Sequence, residues 1–249
     1  VARIRLDRAL VERGLARSRV HARELVASGA VLVGGAPALS PARLVALDED
    51  LRIVATRWRP RGARKLEGVL EQTGLDPSGR VCLDVGASTG GFTMVLLERG
   101  AEQVVCVDVG TGQLDTSLRE DPRVLVFERT DVRDLVWPLD APASLVVVDV
   151  SFVSLQVVAP ALERLAPGAE VLALVKPQFE VGRRIAARYR GVIPEGPERD
   201  EAVRGVVEGL ARRGWRLEGR YRSTLAGAEG NQEEFLHAWL PGEPREVAR

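Results

Sequence analysis

From residue 81 onward the chain alternates short strand-like runs, most of them continuous and apolar, with longer amphipathic segments, and no other feature restricts its fold so tightly. The runs are 81–85, 103–109, 124–128, 145–149, 171–175, 215–223 and 234–240. Continuous apolar runs suit parallel strands covered on both faces, whereas a half-exposed sheet would alternate. The segments between the first five runs are long enough for crossover helices. The pattern predicts an α/β fold with a doubly wound, mostly parallel Rossmann-like sheet. The last two runs lie close enough to form an antiparallel hairpin at one edge.

The first fifty-odd residues read differently. Ile4, Leu6, Ala9 and Leu10 recur at helical spacing up to Gly14. Ser18 suits the N-cap of a second helix running through Leu25 and Val26 to a stop near Gly29. Val31–Val33 reads as a strand, Gly34-Gly35 as a turn, and 44–54 as further strand interrupted by a tight acidic turn at Asp48-Glu49-Asp50. Proline and glycine in Arg57–Gly62 mark a linker. The expected organisation is a small α+β module over 1–56, a linker over 57–62 and the doubly wound domain over 63–249. A chain of 249 residues, 45% apolar, can bury one large core and a satellite of this kind.

Charge separates the two parts. Net charge is zero, yet residues 1–61 hold 12 arginines against 6 acidic residues, leaving an excess of negative charge beyond. A basic head on an acidic body is expected where one module handles phosphate. Of 35 basic residues only Lys65 and Lys176 are lysines. Lysine can give up its proton in a suitable site and arginine effectively cannot, so these two are the first places to look for proton chemistry. Cys82 and Cys106 lie inside apolar runs and are expected as buried reduced thiols. No run approaches the ~20 apolar residues of a membrane span and nothing reads as a signal peptide, so a cytoplasmic location with no membrane partner is expected. No metal site is expected.

The segment Asp84-Val-Gly86-Ala87-Ser88-Thr89-Gly90-Gly91-Phe92 follows the first strand of the sheet and opens a helix. Its glycines permit a sharp turn and close approach of backbone to a ligand. The spacing is not G-x-G-x-x-G, which makes a dinucleotide a poor match, though not an impossible one. Asp108 ends the second strand, where such folds hold ribose hydroxyls, and Asp131 follows the third, where a polar group can meet an adenine amino group. Glycine loop, acid and polar residue together describe a nucleoside pocket without a phosphate clamp. S-adenosylmethionine, a nucleoside with an amino-acid tail and a sulfonium, fits that description.

Asp149 ends the fourth strand and Lys176 the fifth, and ligands of open α/β sheets bind beyond these carboxyl ends. Lys65 sits on the helix leading into the sheet. Glu233 begins the last strand, with Glu234 beside it leaving the register ambiguous. The order Lys65, Asp149, Lys176, Glu233, together with the loop, resembles the FtsJ-like ribose 2′-O-methyltransferases. Arg61–Leu66, Gly86–Thr93, Val109–Leu114, Asp149–Ser154 and Val175–Gly182 resemble the TlyA (hemolysin A) family of ribosomal RNA methyltransferases. Arg5–Leu10 with Gly14–Arg19 is similar to the S4 RNA-binding module which that family carries in front.

The resemblance spans nearly the whole chain. It implies methyl transfer from S-adenosylmethionine to a cytidine ribose 2′-hydroxyl of ribosomal RNA, free or in a ribosomal subunit. It implies that Asp84, Gly86, Ala87, Ser88, Thr89, Gly90, Gly91, Phe92, Asp108, Val109, Asp131 and Asp149 hold the cofactor. The chemistry of the residues agrees. A ribose hydroxyl is a poor nucleophile and needs a positioned base, while a sulfonium methyl brings its own leaving group. Two ammonium groups in one dry cleft are costly to keep charged together. Lys176 is therefore the expected base, with Asp149 orienting it and Lys65 and Glu233 aligning the hydroxyl. Arg3, Arg5, Arg8, Arg17, Arg19 and Arg23 fall on or beside the first two helices and can grip phosphates without reading bases. Arg183 and Arg184 open a segment that departs from the family's lysine- and glycine-containing loop; it can grip phosphates or fold as a short helix. The linker departs as well. The alternative from another class is an RNA-binding or ribosome-assembly factor whose methyltransferase fold does not turn over.

Overall fold

In a computed structural model of the chain, residues 3–54 and 59–243 are described. The expected linker residues Arg57 and Trp58 lie outside them.

The N-terminal module runs β1 (Arg3–Arg5), α1 (Leu6–Glu12), α2 (Arg19–Ala27), β2 (Val31–Val33), β3 (Ala36–Pro37), β4 (Leu44–Ala46) and β5 (Leu51–Ile53). Its core gathers Leu6, Ala9, Leu10, Leu25, Val26, Val31 and Val45. Ser18 caps α2 as expected, its side chain accepting from His21 N at 3.1 Å. Two expectations need correcting. Ile4 is in a strand, not a helix, because β1 pairs antiparallel with β4 and α1 begins only at Leu6. The 44–54 segment is two strands in different sheets: β4 pairs with β1, and β5 with β2. Between them Arg13 reaches the carbonyl oxygens of Ala46, Leu47 and Glu49 at 3.1, 2.5 and 2.6 Å and bends the chain away from a hairpin.

The larger domain runs α3 (Arg61–Thr73), β6 (Val81–Val85), α4 (Gly91–Glu98), β7 (Gln103–Asp108), α5 (Thr116–Arg119), β8 (Val124–Glu128), β9 (Leu145–Val148), α6 (Leu155–Leu165), β10 (Glu170–Val175), α7 (Pro177–Glu180), α8 (Arg183–Arg188), α9 (Pro197–Arg212), β11 (Arg216–Arg222) and β12 (Glu234–Trp239). The strands form one seven-stranded sheet in the order β11-β12-β10-β9-β6-β7-β8. All pairs are parallel except those of β12, which runs antiparallel to β10 and β11. The edge hairpin is as expected. The β8–β9 crossover carries no helix, although it has the length for one, and α3 starts at Arg61, inside the expected linker.

One apolar cluster on each face covers the inner strands of the sheet, which is why those strands read as nearly unbroken apolar runs, whereas the edge strand β11 is largely exposed and polar. Cys82 and Cys106 are free and buried within the second. The chain leaves β6 outward through β7 and β8, then returns to β9 on the other side of β6. A crevice opens at that reversal beyond the carboxyl ends of the strands.

Candidate active site

The glycine loop lies in this crevice. Gly86 has φ +85°, and a Cβ there would stand 2.6 Å from the Asp149 carbonyl oxygen. Only glycine lets β6 turn against the end of β9. Asp108 is locked at the end of β7: Ser88 N donates to Oδ2 at 2.8 Å and Gly110 N to Oδ1 at 2.6 Å. Each oxygen keeps acceptor capacity for a hydroxyl. A cavity of about 500 Å³, lined by Gly86, Ser88, Asp108, Val109, Asp131 and Asp149 among others, follows. That is within the usual size of a small-molecule site. A smaller cavity of about 150 Å³, bordered by Gly86–Thr89, Gly91, Phe92, Asp149, Ser151 and Lys176, adjoins it.

Not every expected cofactor residue lines these cavities. Asp84 is fully buried beneath the loop and receives the Thr93 hydroxyl at 2.6 Å on Oδ2, while among the described residues Oδ1 has no hydrogen-bond partner. Burial pushes its carboxyl up to about 7, against the opposing Thr93 hydrogen bond. Gly90 has φ +92° and faces the side chains of Leu118 and Leu114. Asp131 borders the larger cavity but is paired with Arg133 at 2.6 Å, an interaction that holds its carboxyl below the usual range.

The four residues expected to be catalytic form two ion pairs. Lys176 Nζ lies 2.5 Å from Asp149 Oδ1, off the direction of a good hydrogen bond, and donates to Ser151 Oγ at 2.8 Å. Lys65 Nζ donates to Glu233 Oε2 at 2.5 Å, with both side chains buried. Glu234 turns the other way, to Arg199 at 2.5 Å and Arg220 at 2.8 Å, which settles which carboxylate faces Lys65. Glu234 pairs with Val175 across β10 and β12, so extending the register one residue sets Glu233 beside Lys176. Lys65 stands one helical turn from Gly62, a residue of the smaller cavity's wall.

Several lining residues were not among the expected site residues, and four of them bear on the chemistry. Ser151 and Phe152 follow Asp149 in the loop beyond β9, where position alone could have flagged them. Phe152 is 91% exposed with φ +66°, its ring 5.1 Å from that of Phe179. Val20 and Glu24 come from α2 of the other module and line the two cavities, which no local pattern announces.

The expected RNA-binding arginines divide into groups. Arg5, Arg19 and Arg23 all converge on the buried carboxylate of Asp7, at 3.1, 3.0 and 3.4 Å. Burial alone would push the Asp7 carboxyl up, but hydrogen bonds from Arg5 and Arg19, with their charges, hold it far below the usual range. Arg3 is exposed, and Arg8 is exposed in a pair with Glu12. Arg17 faces the larger domain, pairing with Asp115. Arg183 and Arg184 are exposed on α8, so the segment after Gly182 is a short helix.

A basic module joined to a doubly wound sheet, with a nucleoside-sized cavity and a lysine–carboxylate pair at its rim, defines a methyltransferase-type fold equipped for nucleic acid. The FtsJ-like methyltransferase family model matches residues 58–239, and the S4 domain model residues 4–51. The 16S/23S rRNA (cytidine-2′-O)-methyltransferase TlyA of Mycobacterium tuberculosis is 47% identical over 243 residues, 96% of this chain and 90% of that protein. The 23S rRNA (cytidine-2′-O)-methyltransferase TlyA of Campylobacter jejuni is 35% identical over 75% of this chain and 73% of its own length. A solved Streptococcus thermophilus protein described as a hemolysin superposes with a TM-score of 0.74 at 33% identity, covering 97% of this chain and 90% of that one. This chain belongs to the FtsJ-like methyltransferases and, among them, to the TlyA (hemolysin A) family with its N-terminal S4 domain.

Proposed function

We propose that the protein transfers a methyl group from S-adenosylmethionine to the 2′-hydroxyl of a cytidine ribose in ribosomal RNA, in the cytoplasm. The observation that carries this reading is the position of Lys176. It directly follows β10, pairs with Asp149 and Ser151, and borders the cavity made by the glycine loop. Family membership and the two rRNA (cytidine-2′-O)-methyltransferases described above support the substrate class.

The residues present fit the cofactor. Asp108 would hold the ribose hydroxyls and Asp131 the adenine edge in the larger cavity, and Gly86–Phe92 would take the amino-acid tail in the smaller. When bound, the cofactor supplies a methyl carbon on a sulfonium, whose sulfur departs with the bonding pair. Lys176, in its deprotonated amine form, accepts the hydroxyl proton on Nζ as the oxygen attacks. The positive charge that results lies between Asp149 and Ser151, which stabilise it. Lys65 and Glu233, buried and mutually paired, hold the neighbouring wall in place and contribute positioning. Phe152 offers an exposed ring at the rim on which a base can stack.

The test is Lys176→Ala. Transfer of labelled methyl to ribosomal RNA should fall by at least about a hundredfold, while S-adenosylhomocysteine binding by calorimetry changes little. Turnover retained in this variant removes Lys176 from the chemistry. A wild-type chain that binds ribosomal RNA and methylates neither free RNA nor either subunit is the assembly factor instead. Mapping 2′-O-methyl groups on both subunits identifies the nucleotide.

A further inference from the structure

Helix α2 of the RNA-binding module carries three faces with different tasks. His21, Ala22, Leu25 and Val26 are buried. Arg19 and Arg23 reach Asp7. Val20 and Glu24, one turn apart, point toward the methyltransferase domain: Val20 borders the larger cavity and Glu24 the smaller.

This face is held over the glycine loop at two places. Thr89 Oγ1, within the loop, donates to Glu24 Oε2 at 2.9 Å. Just before α2, Arg17 pairs with Asp115, the N-cap of α5, and its Nη1 lies 3.4 Å from both the Leu114 carbonyl oxygen and Thr116 Oγ1. Thr89 is backbone-linked to the same element, since Asp115 N donates to the Thr89 carbonyl at 3.2 Å. Loop, α5 and α2 thus brace one another.

Among the residues lining the smaller cavity, carboxylates outnumber amines. They include the carboxylates of Glu24 and Asp149 and one amine, that of Lys176, which Asp149 already engages. Burial, with the nearby charge of Asp149, pushes the Glu24 carboxyl up, while the Thr89 hydroxyl and the charges of Arg61 and Arg17 oppose it. Among the described residues the Thr89 hydroxyl is the one side-chain hydrogen bond Glu24 makes. A carboxylate in this setting calls for a cation from the ligand. The cavity adjoins the nucleoside cavity through shared residues Gly86, Ser88, Asp149 and Ser151. What projects there from a nucleoside held by Asp108 is the group on its 5′ carbon.

We infer that Glu24, carried by the RNA-binding module, holds the α-ammonium of the cofactor's amino-acid tail, so that the docked module completes the cofactor site. The inference rests on the S-adenosylmethionine reading above. It makes the S4 domain a contributor to the small-molecule pocket as well as a grip on RNA. Because coupling between two ligands is reciprocal, RNA that draws the module off its docked position must also loosen the cofactor.

The test is a cycle of two proteins and two ligands on the full chain, read by calorimetry. The ligands are S-adenosylhomocysteine and its desamino analogue, which keeps the adenosine, thioether and carboxylate. The variant is Glu24→Gln, which retains an acceptor for Thr89, with Glu24→Ala as the harsher partner. In the wild type, loss of the amino group should raise Kd about tenfold, the effect of a charge-assisted hydrogen bond. In both variants the two ligands should bind within about twofold of each other. A variant that weakens both ligands equally overturns the inference, because Glu24 then only docks the module. Unchanged affinity for both also overturns it. A wild-type chain that binds neither ligand brings down the cofactor reading itself, a result distinct from either.

Discussion

Gly86 and Asp84, two residues apart, show how the glycine loop trades stability for shape. Gly86 occupies a conformation that side chains rarely adopt and sits where a Cβ would meet a backbone oxygen rather than a yielding side chain. Gly86→Ala should cost about 1–3 kcal/mol and abolish detectable S-adenosylhomocysteine binding; thermal unfolding and calorimetry read the two effects. Asp84 has a different cost. Its carboxyl is pushed up to about 7, chiefly by burial. Between about pH 4, where an unfolded aspartate releases its proton, and about 7, the folded chain holds a proton that the unfolded chain has lost. Stability contributed by this group is therefore complete below that window and lost as pH rises through it. Denaturant unfolding at pH 5 and pH 8 should show the fall in the wild type and a smaller one in Asp84→Asn. Equal slopes in both proteins would locate the pH dependence elsewhere.

At the scale of elements, the start of α1 and the start of α2 are tied together by Asp7. Its fully buried carboxylate gathers Arg5, Arg19 and Arg23, whose side chains are each about half exposed. The cluster presents three guanidinium groups at fixed spacing, a geometry suited to phosphates. Replacing Asp7 with Asn raises the net positive charge by one, and simple electrostatics would then predict tighter RNA binding. We expect the opposite: severalfold weaker binding of a ribosomal RNA fragment at fixed salt, because the arginines lose their common anchor. Tighter binding would mean that charge, not arrangement, governs this surface. The same carboxylate has a folded-state affinity for protons far below its ordinary value. Its stabilisation is present above about pH 4 and disappears as pH falls below it.

For the whole molecule, the proposed function divides binding and chemistry between the basic module and the acidic body, which meet at α2. Substituting Arg5, Arg19 and Arg23 together by glutamine should weaken ribosomal RNA binding and flatten its salt dependence by about one unit of slope for each phosphate that is no longer neutralised. Cofactor affinity should stay unchanged, since none of the three faces the pocket. An unaltered salt slope would move the RNA surface elsewhere, with the exposed Arg183 and Arg184 the next place to look. Among the described residues no helix is long and apolar enough to cross a membrane.

Much of this was legible in the chain. Nearly unbroken apolar runs fixed the inner strands to within a residue or two, because a strand buried on both faces tolerates little else. The glycine loop, Asp108, Asp149 and Lys176 were readable because a doubly wound sheet sends every strand end to one crevice. The signals that failed were those settled by distant partners. Ile4 entered a strand because β4 was there to pair with it. Glu233 was separated from Glu234 only when Lys65 and Arg199 claimed one each. Arg17 was drawn from the expected RNA surface to Asp115, and Glu24, an ordinary helical glutamate in sequence, was carried to the glycine loop. Periodicity and spacing report what a residue's own element requires. They hold no information on pairings made across dozens of residues, and the meeting of the two modules over the glycine loop consists entirely of such pairings.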